Sequence, residues 1–452
     1  MASVTPARRK AAALLRAVSR GRRLDVAFSH AVDGLSGQDR RWLQEAVYGT
    51  LRLRGRLDHL LDLHLSRGLE SVPGPALDLL RLGAYQLLYM DAVPPYAAIS
   101  QTVDQVRDVM GKGGGRLANA VLRSLEREGG DEARFPDFQA DPLGYLTSWG
   151  SHPPWLMKRW LARWGPEQTR ILVEENNATP PLFLRPLGMA LREAAHRLGA
   201  QRQDGIALED GISLESGIFQ EEGILQEEGI PCIRLPHGTN PATLLEGFPG
   251  IIQDPGAALV TVFADPPPGA RVADLCAAPG GKALGLAGDG QRVLAGDRSP
   301  ARMAILRENA GRVGVSLDFM VADARHPPLA RADFVLLDVP CSGTGTFRRH
   351  PDARWRLTEG TLDSLVGLQR EILDAAGALV SPGGTLVYST CTLEEEENQG
   401  QVRAFLERHP RFRPEETGSV LPRFVTGEGF LQVLPQDSGY DGSFAARLVR
   451  QT

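Results

Sequence analysis

The sequence predicts an α/β protein. A doubly wound, mostly parallel sheet fills its C-terminal part, an all-helical domain precedes it, and a small α+β region lies between. Three observations carry this reading. From about residue 250, short apolar runs alternate with helical patterns, the arrangement that builds parallel sheets. Residues 6 to about 128 show apolar side chains at helical spacing only. Two of the late runs, Phe334-Val335-Leu336-Leu337 and Thr385-Leu386-Val387-Tyr388, are short and continuous, as in strands buried on both faces. Each leads to a cysteine, Cys341 and Cys391, and strand ends are where open α/β sheets bind ligands.

A chain of 452 residues holds two to three domains at roughly 150 residues each. Its 42% hydrophobic and 23% charged content is that of a soluble globular protein. No apolar run approaches the roughly 18 residues of a membrane span. Arg16 interrupts the apolar stretch behind the basic N-terminus, so no signal peptide is expected. Four cysteines without a Cys-x-x-Cys pair argue against a disulfide framework and a zinc knuckle. The expectation is a reducing, cytoplasmic protein, a monomer, with no membrane partner and no metal. The net charge of −5 hides an asymmetry: residues 1–130 carry about +6, nearly all of the basic groups being Arg. Arg forks match phosphate geometry, although a codon bias toward Arg gives the same count.

In the helical domain, residues 1–130, Leu77, Leu80, Ala84 and Leu87 form one stripe and Ile99, Val103, Val106 and Met110 another. Pro94 and Pro95 separate the two helices. Gly111 to Gly115 separate the second from a third bearing Leu117, Val121, Leu122 and Leu125. Arg52 and Arg56 are read on one helical face, near Arg20, Arg22 and Arg23. That face is either solvated or meets RNA, and RNA is preferred because a separate basic bundle needs a partner. Residues 131–250 read as a linker and a small α+β RNA-binding region. Trp155 and Trp160 there are expected to pack rather than stack on bases. Within 204–233 Gly205, Gly211, Gly217, Gly223 and Gly229 recur every six residues, each followed by Ile. An even period puts all the Ile on one face of a strand. Five repeats are too few for a β-helix core, so a loop or edge ribbon is expected, its glutamates kept away from RNA. Residues 251–452 carry the strands 271–275, 292–296, 319–321, 334–337 and 385–388, with helices at 301–313 and 361–379. A closing antiparallel pair at 430–434 and 444–449 ends the domain.

The first strand runs into Cys276-Ala277-Ala278-Pro279-Gly280-Gly281-Lys282. A glycine turn before a helix lets backbone approach a ligand and offers it free N–H groups. The dinucleotide pattern G-x-G-x-x-G is absent. Asp297 after the second strand suits a ribose diol, and Asp323 after the third can accept from an adenine amino group. Singly, each is as readily a helix cap. As an ordered set they suit an adenosine ligand without charged phosphates. Cys341 and Cys391 are either inert strand-end thiols or a nucleophile and its helper. A thiolate adding at carbon 6 of a pyrimidine makes carbon 5 nucleophilic enough to take a methyl group from a sulfonium. A base must then strip the carbon 5 proton and expel the thiol. Asp338 can hydrogen-bond the base's polar edge. Residue chemistry alone does not rank the two thiols.

Several stretches carry resemblances. Arg81 to Met90, Val93-Pro94-Pro95-Tyr96-Ala97-Ala98-Ile99 and Ala118 to Arg123 resemble the NusB-like RNA-binding domain. Asp274 to Lys282, Asp338 to Gly345, Arg348-Arg349-His350-Pro351-Asp352 and Tyr388-Ser389-Thr390-Cys391-Thr392, with Glu396-Glu397-Asn398 behind, resemble the motifs of RNA (cytosine-5)-methyltransferases. Together they are similar to the bacterial Sun/RsmB family, which methylates cytosine in 16S ribosomal RNA. The resemblance implies a Rossmann-like class I methyltransferase domain. It implies S-adenosyl-L-methionine held by Cys276, Ala277, Ala278, Pro279, Gly280, Gly281, Lys282, Asp297, Asp323 and Asp338, with Cys391 as nucleophile and Cys341 aiding product release.

Four departures stand out: Ala283 where the family usually has Thr, Arg185-Pro186-Leu187 in place of Arg-x-Asn, Asp441-Gly442-Ser443-Phe444 in place of Asp-Gly-Phe-Phe, and the hexad repeat. A base methylated on its ring must leave its stack, so a single-stranded or flipped cytosine is expected. Arg348 and Arg349 either hold flanking phosphates or pair with nearby acids. The competing readings are the same chemistry on transfer RNA and an RNA-binding assembly or antitermination factor with a vestigial catalytic domain.

Overall fold

A computed structural model describes residues 4–203, 218–221, 224–227, 229–236 and 238–452. The chain divides into two compact units. One is Met1–Ala178 with Phe347–Leu357; the other is Thr179–Thr346 with Thr358–Thr452.

The first unit is helical throughout its described residues. Its main helices are Pro6–Ser19, Leu24–Ala31, Gly37–Arg52, Arg54–Asp62, Gly74–Tyr89, Pro95–Glu128, Pro142–Ser148 and Pro154–Asn177. Proline opens four of these, where its fixed φ and missing N–H cost nothing. The predicted stripes face inward: Leu80, Ala84, Ile99 and Val106 are buried with Leu57, Leu61, Val121 and Leu122. The glycine run expected to separate two helices does so at one residue. Gly111 takes φ 72°, and the helix resumes directly after it.

The helical unit also extends past residue 130, where a linker was expected. Phe135 stacks on His59 at 4.6 Å between ring centroids and meets Trp149 edge-on at 5.1 Å. The Gly55 N–H donates to Ser151 Oγ at 2.9 Å. These contacts anchor the segment through the buried Phe135, while residues 131–133, 137 and 139–141 stay exposed. Trp160 is a packing residue as expected, 1% exposed among His152, Trp164 and Phe347.

Phe347–Leu357 is held in this unit by buried polar contacts. The Arg354 guanidinium is fully buried and donates to Ser151 O (3.2 Å), Asn176 O (3.0 Å) and Asn177 Oδ1 (2.8 Å). No carboxylate is among these acceptors. Burial and the nearby Arg52 charge push the Arg354 pKa well down. Trp355 Nε1 donates to Leu51 O at 2.7 Å, and Asp352 Oδ2 accepts from Leu24 N at 3.2 Å. Its two terminal nitrogens are satisfied in this way while the buried Nε meets no acceptor, and through those two nitrogens Arg354 keys this segment to its neighbours.

The second unit has two sheets. The smaller contains β1 (Leu182–Pro186), β2 (Ile218–Glu221), β3 (Ile224–Glu227), β4 (Ile233–Leu235) and β5 (Gly250–Ile252). Their order is β2-β3-β4-β1-β5, each pair antiparallel. Two strands of the hexad repeat thus pair with each other at the sheet's edge, Ile218 opposite Glu227 and Glu221 opposite Ile224. The first repeats, with Ile206 and Ile212, lie outside the described residues.

The larger sheet contains β6 (Arg271–Asp274), β7 (Arg292–Asp297), β8 (Asp318–Val321), β9 (Ala332–Asp338), β10 (Val380–Thr390), β11 (Phe412–Pro414), β12 (Leu431–Val433) and β13 (Ser443–Arg450). The order is β11-β13-β10-β9-β6-β7-β8, with β12 also on β13. Strands β6 to β10 are mutually parallel and β13 joins β10 antiparallel. This is the expected doubly wound sheet with its closing antiparallel pair. Alternate side chains enter two core layers. Phe334, Leu336 and Val387 face helices Pro255–Ala264, Gly281–Gly288 and Pro300–Val313. Val335, Leu337, Leu386 and Tyr388 face helices Glu359–Leu379 and Gln399–Arg408. From β6 the chain winds outward to β7 and β8, then returns to β9 on the other side of β6. The topological switch point therefore falls between β6 and β9.

Arg354→Leu is expected to lower the stability of the helical unit by about 3 kcal/mol, because buried carbonyls lose their donor. The urea midpoint for helix loss measures this. An unchanged midpoint would show that water replaces the guanidinium.

Candidate active site

The C-terminal ends of the parallel strands carry the chemistry. Asp274 ends β6, Asp297 ends β7, Asp338 ends β9, Asp323 lies two residues past β8 and Cys391 one past β10. The parallel register brings them along one edge of the sheet.

The turn after β6 contains a cis Ala278–Pro279 bond and Gly280 at φ 117°. A Cβ on Gly280 would fall 2.2 Å from Leu306 Cδ1, so glycine is required by both conformation and space. Lys282, in the first turn of the following helix, spans the switch point. Its Nζ lies 2.7 Å from Asp338 Oδ2, and the lysine side chain is 11% exposed. Burial opposes its charge, but Asp338 outweighs burial and holds the lysine pKa above its usual value. The Cys391 sulfur adds to that attraction.

Asp274 is fully buried. Its Oδ1 accepts from Cys276 N at 3.2 Å, while its Oδ2 meets no donor within the protein. Burial, then the charge of Asp338, pushes this carboxyl up to about 7. Burial beside Asp274 likewise pushes the Cys276 thiol up. Asp297 accepts from Ser299 N at 2.8 Å and faces Arg302 at 3.3 Å. Asp323 has both oxygens on Arg325, and the Arg325 side chain and N–H draw it down to about 2. Both outer carboxylates thus adopt the turn-capping geometry of isolated strand-end aspartates while staying in the ordered set.

Cys341 and Cys391 meet. Their Sγ atoms are 3.3 Å apart, both half-buried, and the Cys391 N–H points at Cys341 Sγ at 3.4 Å. The hydrogen bond to Cys391, burial, and the Cys391 and Glu397 charges push the Cys341 thiol well up. Asp338 Oδ1 accepts from Ser389 Oγ at 3.3 Å, leaving Asp338 between Lys282 and the β10 end.

Around the thiols lies a polar network to which sequence reasoning assigned no role: Ser342, Thr344, Gln369, Thr392, Glu397 and Asn398, all buried. One signal for it was available. Gln369 occupies a position in the stripe Leu362, Gln369, Ile372, Leu373, Ala376 where the helical period calls for an apolar side chain.

The four arginines expected on RNA belong to the helical unit. The reading of Arg52 and Arg56 on one face is corrected. Helix Gly37–Arg52 ends and Arg54–Asp62 begins across Leu53, at φ −101° and ψ 19°. Arg52 donates to Arg348 O at 3.2 Å, and burial lowers its pKa. Arg56 donates to Trp149 O through two nitrogens and stacks 3.5 Å from the Trp149 ring centroid. Both guanidinium groups are engaged inside the fold. Arg348 pairs with Glu175 at 3.1 Å, 16% exposed, which is the ion-pair alternative; Arg349 follows it half-buried. Arg185 is also internal, donating to Thr261 Oγ1 (2.7 Å), Gln253 Oε1 (3.2 Å) and Asp289 (3.0 Å).

Among the described residues, no group of His, Cys, Asp and Glu could hold a metal ion, and no helix is long and apolar enough to cross a membrane. A doubly wound sheet with carboxylate-bearing strand ends around a glycine turn, in a chain that also carries a helical unit, defines the class as a Rossmann-like methyltransferase. Family models agree: residues 261–449 match the 16S rRNA methyltransferase RsmB/F model, 5–127 the NusB family and 152–218 the ferredoxin-like domain of RsmF/B-like methyltransferases. The chain is 35% identical to the probable ribosomal RNA small subunit methyltransferase B of Synechocystis, over 94% of this chain and 95% of the relative. It is 34% identical to ribosomal RNA small subunit methyltransferase B of Sodalis glossinidius, over 92% and 91%. The crystal structure of PH0851 superposes with a TM-score of 0.76 at 25% identity, covering 99% of both chains. The chain belongs to the RsmB/F family of 16S rRNA methyltransferases.

Asp274 sets a pH dependence. An unfolded aspartate ionises near pH 4, whereas Asp274 keeps its proton up to about pH 7. Between these values the folded state binds the extra proton, so this residue's contribution to stability is full below pH 4 and lost as pH rises to 7. Asp274→Asn should flatten that slope. Urea midpoints of both proteins at pH 5, 6 and 7 test this; parallel curves would mean Asp274 is ionised in the fold.

Proposed function

We propose that this protein transfers a methyl group from S-adenosyl-L-methionine to carbon 5 of a cytosine in 16S ribosomal RNA, through a covalent bond between Cys391 and the base. The observation that carries the reading is the 3.3 Å contact of two thiols beside the Lys282–Asp338 pair at the sheet's switch point. Membership in a 16S rRNA methyltransferase family supports the substrate.

The residues present fit the cofactor. Asp274 Oδ2 is a buried acceptor without a donor, beside the Gly280 turn and one strand from Asp297, and so suits a cationic amino group. Asp297 and Asp323 would serve the ribose and adenine, and the segment Cys276–Lys282 the methionine portion. When bound, the cofactor supplies a methyl group on a positively charged sulfur.

The protein's own residues do the rest. Cys391 sulfur bonds to carbon 6 of the base, and the ring electrons move toward carbon 5 while the ring nitrogen takes a proton. The negative charge of Asp338 favours that protonation. Carbon 5 is then a carbon nucleophile able to form the new carbon–carbon bond. Its proton next leaves to a base. The electron pair restores the double bond between carbons 5 and 6, breaks the carbon–sulfur bond and returns Cys391 as a thiolate, while the ring nitrogen gives up the proton it took. Cys341, whose sulfur touches that of Cys391, assists the departure.

Cys391→Ser should abolish methylation and Cys341→Ala should accumulate a covalent protein–RNA adduct on denaturing gels. Continued turnover by Cys391→Ser would overturn the nucleophile assignment. Incubation with tritiated-methyl S-adenosylmethionine and unmodified 16S rRNA should put label in 5-methylcytidine; label in transfer RNA instead would change the target.

Binding of the cofactor's amino group against Asp274 should also release a proton near pH 7, because a cation lowers a carboxyl held at about 7. Calorimetry in buffers of different ionisation enthalpy reads this. An enthalpy independent of buffer would remove Asp274 from the site.

A further inference from the structure

Glu397 and Asn398 are neighbours in sequence, and each brackets a different cysteine. Glu397 Oε1 accepts from the Ser342 N–H at 2.8 Å, and its Oε2 accepts from Ser342 Oγ. Gln369 Nε2 donates both to Glu397 Oε1 (2.8 Å) and to Pro340 O (2.9 Å). Glu397 with Gln369 therefore grips the residues on both sides of Cys341. Asn398 does the same for the other thiol. Its Oδ1 accepts from Thr390 Oγ1 at 2.5 Å and its Nδ2 donates to Thr392 O at 2.9 Å, the residues on both sides of Cys391. Ser342 Oγ and Thr392 Oγ1 then meet at 2.6 Å, locking one grip to the other.

All of these groups are buried: Glu397 and Gln369 are fully so, and Asn398 is 1% exposed. Burial raises the Glu397 pKa, and the bonds from Ser342, Thr392 and Gln369 work against that rise. A buried carboxylate and two buried amides in one layer are costly unless every atom has a partner. The Tyr388 hydroxyl supplies a further tie, donating to Glu397 O at 2.7 Å.

We propose that Glu397 and Asn398 are paired positioning residues for the reaction: Glu397, acting through Gln369 and Ser342, sets Cys341, and Asn398, acting through Thr390 and Thr392, sets Cys391. This rests on the covalent reading above, in which Cys391 adds to the base and Cys341 assists its release. The two residues consequently serve different steps. Loss of Glu397 frees Cys341 and slows release; loss of Asn398 frees Cys391 and slows addition. Misplacing a reacting group by about 1 Å costs on the order of 100-fold, so each effect is measurable.

The test uses the full chain with unmodified 16S rRNA transcript and S-adenosylmethionine. Glu397→Ala should cut turnover by roughly 30-fold or more and accumulate covalent adduct as Cys341→Ala does, with Glu397→Gln recovering much of the rate. Asn398→Ala should cut turnover without adduct, and in a Cys341→Ala background should lower adduct formation by roughly tenfold or more. Cofactor affinity should remain within about threefold of the parent in both, since neither residue faces the glycine turn. Gln369→Leu, which removes the bonds to Glu397 and Pro340, and Thr390→Val, which removes the bond to Asn398, repeat the two arms should an alanine variant fail to fold. Variants that lose addition and release in equal measure, or that leave both rates unchanged, would overturn the paired assignment. If the Cys341→Ala parent forms no adduct, the covalent reading itself falls and takes this assignment with it; if that parent forms adduct but the two arms behave alike, only this assignment falls.

Discussion

The Val339 N–H donates to Ser389 O at 3.1 Å and closes the last rung between β9 and β10. That ladder runs Leu337 beside Tyr388 and Asp338 beside Ser389. A parallel pair leaves both chains at the same edge, so the two loops that follow begin side by side. Cys341 lies three residues beyond its rung and Cys391 two beyond its own. Their 3.3 Å contact follows from this register. A slip of one residue would turn every side chain of one strand to the opposite core layer. The register is protected because Phe334, Leu336 and Val387 serve one layer while Val335, Leu337, Leu386 and Tyr388 serve the other.

Electrostatics at this edge are arranged by burial. Two carboxyls, Asp274 and Asp338, flank one ammonium, Lys282. The lysine sides with Asp338 at 2.7 Å, and Asp274 is left with one oxygen unmatched. In a dry site an unmatched acceptor raises its own pKa rather than carrying charge. The result is a buried carboxyl pushed up to about 7 beside a paired ammonium. Contact with Cys391, burial and the charge of Glu397 likewise push the Cys341 thiol well up.

Buried polar groups recur as ties between stretches distant in sequence. Arg354 holds Phe347–Leu357 to carbonyls near residues 151 and 176. Arg185 joins β1 of the small sheet to helix Pro255–Ala264 through Thr261 and to Asp289 beyond the helix of the glycine turn. A Cβ on Gly285 would fall 2.3 Å from its Nη1, so that helix has been kept small to admit it. Glu397 ties the two thiol loops. Each such group bonds main-chain atoms or neutral side chains as much as charges, which makes its geometry strict.

Much of the architecture was legible in the order of residues. Continuous apolar runs bounded by Gly and Pro marked β6 to β10, and spacing of three and four marked the helices, because burial on two faces or on one stripe leaves a period in the sequence. The glycine turn, the strand-end carboxylates and the cysteines were legible for the same local reason: each follows its strand directly. What the tertiary structure alone decided depends on partners far apart in sequence. It ended a helix at Leu53 and drew Arg52 and Arg56 inward. It carried residues 131–178 and 347–357 into the helical unit. It also gave Gln369, Glu397 and Asn398 their grips on Pro340, Ser342, Thr390 and Thr392. A polar side chain bears no mark of whether its hydrogen bond will go to water or to a carbonyl thirty residues away. Only packing, by removing the water, makes that choice.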